Sequence, residues 1–226
     1  MRQEAFVAHY MPLLAGAYER RRSGIDRRAL IATVWDGYRA MVGNDGSKTN
    51  REAFWESMES RLPLPRQEAE AVALDFYSGD FNRAKAATQP TPLAQLAVRR
   101  AKENGMAVYL ATNPVFPRCA TENRIRWAGL DAADFEIITT YEDCRFCKPN
   151  PSYFSDLLNR FSLDPEECLM VGNDVEEDLA AGQVGISTFL VTDTMENFKH
   201  LPIRSDYQGS LQELADFIGN GSSASR

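Results

Sequence analysis

Short apolar segments alternate with helical patterns along the chain from Thr88 onward. These segments are rich in β-branched and aromatic residues and span residues 106–111, 135–140, 168–172 and 187–192. Apolar strands that alternate with helices are typical of a parallel sheet covered by helices on both faces. The alternation therefore predicts an α/β fold for residues 89–219, built on a doubly wound, parallel, Rossmann-like sheet.

The first 88 residues show a helical pattern without strand signals. Apolar residues recur at helical spacing in residues 4–18 and 29–42, and prolines separate two later helical segments. We therefore predict an all-helical domain at residues 1–88. At the other end, the small polar residues of NGSSASR predict a disordered tail at residues 220–226.

Net charge and the length of the apolar runs limit the possible partners. The chain has 25 basic and 32 acidic residues, a net charge of -7, and no cluster of Lys and Arg that could follow a nucleic-acid backbone. No run approaches the ~20 apolar residues of a membrane span. We expect a cytoplasmic protein that binds neither nucleic acid nor membranes. Cys144 and Cys147 have the spacing of a metal or redox pair, but no second such pair exists, and we assign them no role.

Polar residues follow the first three predicted strands. Thr112 and Asn113 follow the first strand, and Lys148 lies in the loop after the second. Asp174 and Asp178 follow the third strand. Singly, each has a structural interpretation, such as carboxylates that favour the first turn of a helix. Together, at the edge where α/β sheets bind ligands, they supply a hydroxyl, a cation and carboxylates, which suit a phosphoryl group and a hard divalent cation.

In this order and spacing, the motifs resemble those of the haloacid dehalogenase-like hydrolases. VYLATN, with Thr112, is similar to the second motif of that family, and CKPNP, with Lys148, is similar to the third. VGNDVEED is similar to the fourth. The resemblance implies that Thr112, Asn113 and Lys148 bind the transferring group, with the threonine and the lysine taking part in catalysis. It also implies that Asp174 and Asp178 bind Mg²⁺.

The same resemblance covers nearly the whole chain and implies a function. It points to a phosphoric monoester hydrolase that uses Mg²⁺ and acts on a small phosphorylated metabolite. The helical segment at residues 1–88 resembles the helical cap of the family, and residues 89–219 resemble its α/β core. The motifs do not fix the identity of the substrate.

The fourth motif departs from the family pattern at its first acid. Asn173 directly follows Gly172, where family members often have an acid. The acids Asp174 and Asp178 are four residues apart, so on a helix they would face the same side and could address one cation, directly or through water. Glu177 is the alternative second ligand if Asn173 is aligned with the usual first acid.

The first motif of the family is not found in the sequence. That motif is an apolar strand followed by D-x-D, whose first aspartate attacks phosphorus, and no two aspartates of this chain are separated by a single residue. Its strand is the central one of the family's sheet, between the strands that end at Thr112 and Gly172. We therefore expect an N-terminally truncated hydrolase, inactive as given. The alternative is a catalytically inactive relative that binds a phosphorylated ligand or a protein.

Overall fold

The computed structural model of the protein describes residues 3–220, with side chains from residue 6 onward, and it contains both helices and strands. The α-helices are α1 (Gln3–Arg21), α2 (Arg27–Val42), α3 (Asn50–Met58), α4 (Arg66–Ser78), α5 (Pro92–Glu103), α6 (Arg118–Trp127), α7 (Pro151–Phe161) and α8 (Leu211–Gly219). The strands are β1 (Tyr109–Leu110), β2 (Ile137–Ile138), β3 (Leu169–Gly172), β4 (Ser187–Val191) and β5 (Tyr207–Gly209). Each predicted apolar segment contains a strand, and β5 is an additional one. Within the described residues, no helix has the length and apolar character needed to cross a membrane.

The chain divides into two compact units. Unit 1 consists of Met1–Pro90, Pro114–Ala132 and Thr139–Cys147, and unit 2 consists of Thr91–Asn113, Ala133–Ile138 and Lys148–Arg226. The predicted boundary near Thr88 lies close to the first change of unit. Unit 1 nevertheless takes in two later segments, because α6 and its flanking residues pack into the helical core. The tail predicted at residues 220–226 lies, beyond Asn220, outside the described residues.

Local sequence signals explain where several helices begin. The side chain of Asp26 accepts hydrogen bonds from the backbone N–H groups of Arg28 and Ala29 and caps α2. Thr49 and Glu52 form a reciprocal capping box at the start of α3. Such caps satisfy backbone donors that a helix start leaves unpaired, and each contributes about 1 kcal/mol. They fix the ends of helices whose apolar faces then pack together.

The core of unit 1 is dominated by aromatic rings. Neighbouring rings contact one another with centroids 5.0–6.4 Å apart. The main members are Phe6, Tyr10, Phe76, Tyr77, Phe81, Phe116 and Trp127. Phe81 is completely buried, and residues of α1, α4 and α6 surround it. Large rings remove much apolar surface from water, so this cluster is the main source of stability in unit 1.

The sheet of unit 2 is in two pieces. β1 pairs with β2 in parallel, and Tyr109 lies opposite Ile137. The second piece has the order β3-β4-β5, also with parallel pairings throughout. The prediction of a parallel α/β architecture is therefore confirmed. Among the described residues, no strand pairing joins β1 to β3.

Burial differs sharply between the strands of unit 2. Four of the five residues of β4 are buried, and two of them, Phe189 and Val191, pack with buried residues of α5 and α8. In contrast, β1 is only half-buried, and β3 has no fully buried residue, with Leu169 36% exposed. Central strands of a covered parallel sheet are normally buried on both faces. β1 and β3 thus have the burial of edge strands.

Candidate active site

The predicted site residues of unit 2 lie in three loops. Thr112 and Asn113 follow β1, Lys148 lies just before α7, and the acidic segment of residues 173–178 follows β3. α7 begins at a fixed point because the side chain of Asn150 accepts a hydrogen bond from the backbone N–H of Ser152 at 3.0 Å. This cap holds the turn that carries Lys148.

Lys148 and Asp178 form a buried ion pair. The Lys148 Nζ atom lies 2.7 Å from Asp178 Oδ1, and Lys148 is only 3% exposed. The ammonium also lies 5.7 Å from the ring centroids of Tyr153 and Phe154, a distance suited to cation–π attraction. A buried charge pair costs desolvation energy that good geometry must offset. The position of this lysine therefore needs a structural or functional explanation, unlike that of a surface lysine.

The second oxygen of Asp178 organises the acidic segment. Asp178 Oδ2 accepts hydrogen bonds from the backbone N–H groups of Asn173 and Asp174, at 2.9 and 3.0 Å. Gly172 makes this approach possible, because a Cβ atom there would lie 2.1 Å from the same oxygen. The backbone at the end of β3 therefore wraps closely around the Asp178 carboxylate.

The side chain of Asp174 stabilises the turn that follows β3. Its Oδ1 atom accepts from the backbone N–H groups of Glu176 and Glu177, both at 2.8 Å. The other carboxylate oxygen accepts no hydrogen bond from a described residue. The segment continues as turns and then a 3₁₀-helix, Leu179–Val184, so the two aspartates do not lie on the helix on which their spacing was considered. Asp174 and Asp178 are still one turn apart, since the backbone N–H of the second donates to the carbonyl of the first at 3.0 Å.

Glu177 joins the site through Asn113. Asn113 Nδ2 donates to Glu177 Oε1 at 2.8 Å and lies 3.4 Å from the carbonyl oxygen of Lys148. Burial and the negative charge of nearby Asp174 raise the pKa of the Glu177 carboxyl from 4.5 to about 7. Asn113 Oδ1 is the one buried side-chain oxygen or nitrogen that lacks a partner in the described part of the chain. An orphaned acceptor beside a cation and carboxylates is a position for a donor or a metal ion.

The structure connects the predicted residues to different extents. Direct side-chain hydrogen bonds link Lys148 with Asp178 and Asn113 with Glu177. Thr112 is tied in through its backbone, because the Tyr153 hydroxyl donates to its carbonyl oxygen at 2.8 Å. Sequence reasoning did not single out Tyr153. The sequence signal that could have identified it is an aromatic residue shortly after the CKPNP motif.

The acids of this site offer few oxygens for a metal ion. Within residues 6–220, no group of three or more His, Cys, Asp or Glu side chains is arranged to hold one. Both oxygens of Asp178 are engaged, which leaves the second oxygen of Asp174, the Glu177 carboxyl and Asn113 Oδ1. Mg²⁺ usually takes one or two carboxylates and completes its shell with water and substrate phosphate. The residues present therefore fit Mg²⁺ better than a metal that needs a full protein cage.

The chain thus has an α/β fold with a buried lysine and several carboxylates in the loops that follow its strands. A family model described as haloacid dehalogenase-like hydrolase matches residues 6–185. The chain belongs to that family.

Several curated relatives are named for phosphate chemistry. Pyrophosphatase PpaX of Bacillus cereus (strain G9842) is 31% identical over 123 residues, 54% of this chain and 54% of that protein. The bifunctional riboflavin kinase/FMN phosphatase of Arabidopsis thaliana is 26% identical over 160 residues, 70% of this chain and 40% of that protein. The chain thus spans about half the length of the curated relatives it matches.

Solved structures share the fold at low identity. A HAD phosphatase from Thermococcus onnurineus aligns with a TM-score of 0.56 and 19% identity, over 96% of this chain and 91% of that chain. The L-2-haloacid dehalogenase RSc1362 aligns with a TM-score of 0.53 and 16% identity, over 92% of both chains. These likenesses concern the fold alone, and they support an α/β fold with parallel strands and many helices.

Proposed function

We propose that this chain carries most of the active site of a Mg²⁺-dependent phosphatase that acts on a small phosphorylated metabolite. The single observation that carries the proposal is the buried Lys148–Asp178 pair, with Asn113 and Glu177 bonded to each other beside it. The names of the relatives, pyrophosphatase and FMN phosphatase, support phosphoryl chemistry. As in the sequence analysis, we expect the protein in the cytoplasm.

In this proposal the phosphoryl group binds to Thr112, Asn113 and Lys148. The threonine hydroxyl donates a hydrogen bond to a phosphoryl oxygen, and the asparagine amide, which donates to Glu177 in this structure, exchanges that acceptor for a phosphoryl oxygen. The ammonium of Lys148 offsets the charge that develops during transfer. Since the ammonium is almost completely buried, its field is weakly screened, and it acts more strongly than a surface lysine would.

Asp174 and Asp178 are the proposed Mg²⁺ ligands. Asp174 has an oxygen available for direct coordination, whereas Asp178, which already accepts from Lys148 and two backbone N–H groups, would reach the ion through water. Glu177 is the alternative ligand, because it lies beside Asn113. When bound, Mg²⁺ neutralises phosphoryl oxygens and orients the group for in-line displacement.

The nucleophile is proposed to come from a segment outside these 226 residues. We expect an apolar strand that pairs between β1 and β3 and ends in D-x-D. Two observations support this proposal: the sheet of unit 2 is in two pieces, and the strands on either side of the division are half-buried. The first aspartate would attack phosphorus, release the alcohol and be regenerated by water. On this reasoning the chain as given is inactive.

A comparison of two proteins tests the proposal. The 226-residue chain and a version extended upstream by the in-frame coding sequence are assayed on an aryl phosphate, with and without Mg²⁺. We expect turnover only in the extended protein and only with Mg²⁺, and loss of turnover when the first aspartate of D-x-D is changed to Asn. Turnover by the short chain would require another nucleophile.

A binding protein without catalysis is the second candidate. It is favoured if no upstream strand is encoded, because Asn113, Thr112 and Lys148 could still hold a phosphorylated ligand. In that case phosphate or a phosphorylated metabolite should stabilise the short chain against heat, and Lys148→Ala should remove the stabilisation. The two candidates thus differ in turnover and share ligand binding.

A further inference from the structure

A second cationic side chain with unusual surroundings lies in unit 1, at Arg124 of α6. Its guanidinium carbon is 5.4 Å from the ring centroid of Phe6 and 5.3 Å from that of Phe116. The two centroids are only 6.3 Å apart, too close for the rings to sandwich the guanidinium. The two rings therefore approach the guanidinium from directions less than a right angle apart, and they do not enclose it between them.

Arg124 lacks the acceptors that its neighbours have. Arg118 on the same helix pairs with Glu122 at 2.7 Å, and Arg126 donates to Asn123 at 2.6 Å. Arg124 forms no ion pair or hydrogen bond with a described residue. Arg28 and Arg83, which also lack an acid partner among the described residues, are exposed, whereas Arg124 is partly buried and burial lowers the pKa of its guanidinium.

This arrangement is costly for a charged group unless something pairs with it. The aromatic faces attract the cation by roughly 0.5–2 kcal/mol, but they do not accept its N–H groups in good hydrogen bonds. A partly desolvated charge without acceptors costs free energy that an anion would recover. The planar fork of arginine, held by ring contacts, is suited to bidentate binding of a carboxylate or phosphate.

Tyr10 supplies a second polar group at the same place. Its ring lies 5.8 Å from that of Phe116 and 5.2 Å from that of Phe6, the same two rings that lie beside Arg124. Burial raises the pKa of Tyr10, so the hydroxyl stays protonated and can donate. Tyr10 is only 6% exposed, whereas Arg124 is partly exposed, so a ligand would reach this place from the arginine side.

We propose that Arg124 and Tyr10 form a binding site for an oxyanion, a carboxylate or phosphate group of a small ligand, with Phe6 and Phe116 as its apolar wall. The site lies wholly within unit 1. It does not depend on the proposed phosphatase activity, since it uses none of Thr112, Asn113, Lys148 or the acids.

Nuclear magnetic resonance on the 226-residue chain tests this site directly. Inorganic phosphate and malonate are titrated separately while the indole N–H signal of Trp127 is followed. The Trp127 ring centroid lies 6.4 Å from that of Phe6, and the signal is assigned by its loss in Trp127→Phe. We expect a saturable shift with at least one probe. Saturation by phosphate alone would identify a phosphate site, by malonate alone a carboxylate site, and by both a general oxyanion site.

Variants locate the binding. Arg124→Gln should weaken the affinity of the saturating probe about tenfold or more, because a charge-assisted bidentate contact is lost. Arg126→Gln, on the same helix, is the matched control and should leave the affinity within about twofold. If Arg124→Gln does not fold, Tyr10→Phe replaces it and should weaken binding about threefold. No saturable shift up to roughly 20 mM of either probe, or unchanged affinity in the arginine variant or its tyrosine replacement, would overturn the proposal.

Discussion

The cores of the two units differ in how completely the chain itself fills them. In unit 1, aromatic rings enclose Phe81, and Trp55 and Met58 of α3 are also almost fully buried. In unit 2, β4 is buried, but β1 and β3 are half-buried and Asn113 Oδ1 has no partner among the described residues. The core of unit 1 is filled by its own side chains, whereas unit 2 has two half-buried strands and a buried polar atom without a partner among the described residues. The variants below test this difference, from the largest expected effect to the smallest.

Side-chain truncation should affect the two cores very unequally. Phe81→Ala removes a ring that six other rings surround, and we expect a loss of about 4–5 kcal/mol in the free energy of unfolding. Leu169→Ala, on half-exposed β3, should cost about 1 kcal/mol or less. Urea unfolding of both variants measures the contrast. Equal losses would mean that β3 is packed as tightly as the helical core.

The same two substitutions also test the proposed upstream strand. If an upstream strand inserts between β1 and β3, Leu169 becomes buried, and Leu169→Ala should cost about 2–3 kcal/mol in the extended protein. The cost of Phe81→Ala should not change, because its neighbours lie in unit 1. An unchanged cost at Leu169 would count against insertion beside β3.

Removing Lys148 should be the most damaging polar change in unit 2. Lys148→Met leaves the buried carboxylate of Asp178 without its cation, at a cost of about 3–4 kcal/mol. In an active, extended protein it should also lower turnover by orders of magnitude, about 10²-fold or more. Lys199→Met, which breaks the exposed pair with Glu176, is the matched control and should cost about 0.5 kcal/mol. Similar losses in the two variants would contradict a special role for the buried lysine.

The acidity of Glu177 predicts a pH dependence in Mg²⁺-free buffer. Its pKa is raised to about 7 in the folded protein, so the folded state holds this proton where the unfolded state releases it. Stability from this group is therefore full below about pH 4.5 and falls, by about 3 kcal/mol in total, as the pH rises from 4.5 through 7. Thermal melts of the chain and of Glu177→Gln between pH 5 and pH 8 test this slope. The glutamine variant should be less sensitive to pH, and parallel curves would refute the assignment.

Sequence patterns predicted the elements of unit 2 better than their connections. Apolar runs locate β1 to β4, but β5 was missed because its three residues include Gln208 and Gly209 and give no apolar run. The helix on which the spacing of Asp174 and Asp178 was considered is, in the structure, a series of turns followed by a 3₁₀-helix. Asp178 turns back to accept two N–H groups at the end of β3, a tertiary arrangement that helical spacing does not encode.

The candidate site shows the same limit. Residue types and their order singled out Thr112, Asn113, Lys148 and the two aspartates. Which of them bond to one another depends on three-dimensional packing, and the sequence could not indicate that Asn113 binds Glu177 or that Lys148 binds Asp178. The roles of these residues in catalysis remain predictions.

The smallest expected effect concerns Tyr153, a positioning residue between two loops of unit 2. Its hydroxyl holds the carbonyl of Thr112, and its ring lies beside the Lys148 ammonium, so it couples the two groups proposed to bind phosphate. Tyr153→Phe keeps the ring and removes one hydrogen bond, which should cost about 1 kcal/mol of stability. We expect phosphate binding at the Lys148 site, followed by titration calorimetry, to weaken about threefold in addition, because Thr112 is no longer held in place. Tyr207→Phe on β5 is a control that should leave phosphate affinity unchanged. If Tyr153→Phe lowers stability but not affinity, the hydroxyl serves packing alone, and the loops of this site are held in place by Asn113 and Asp178.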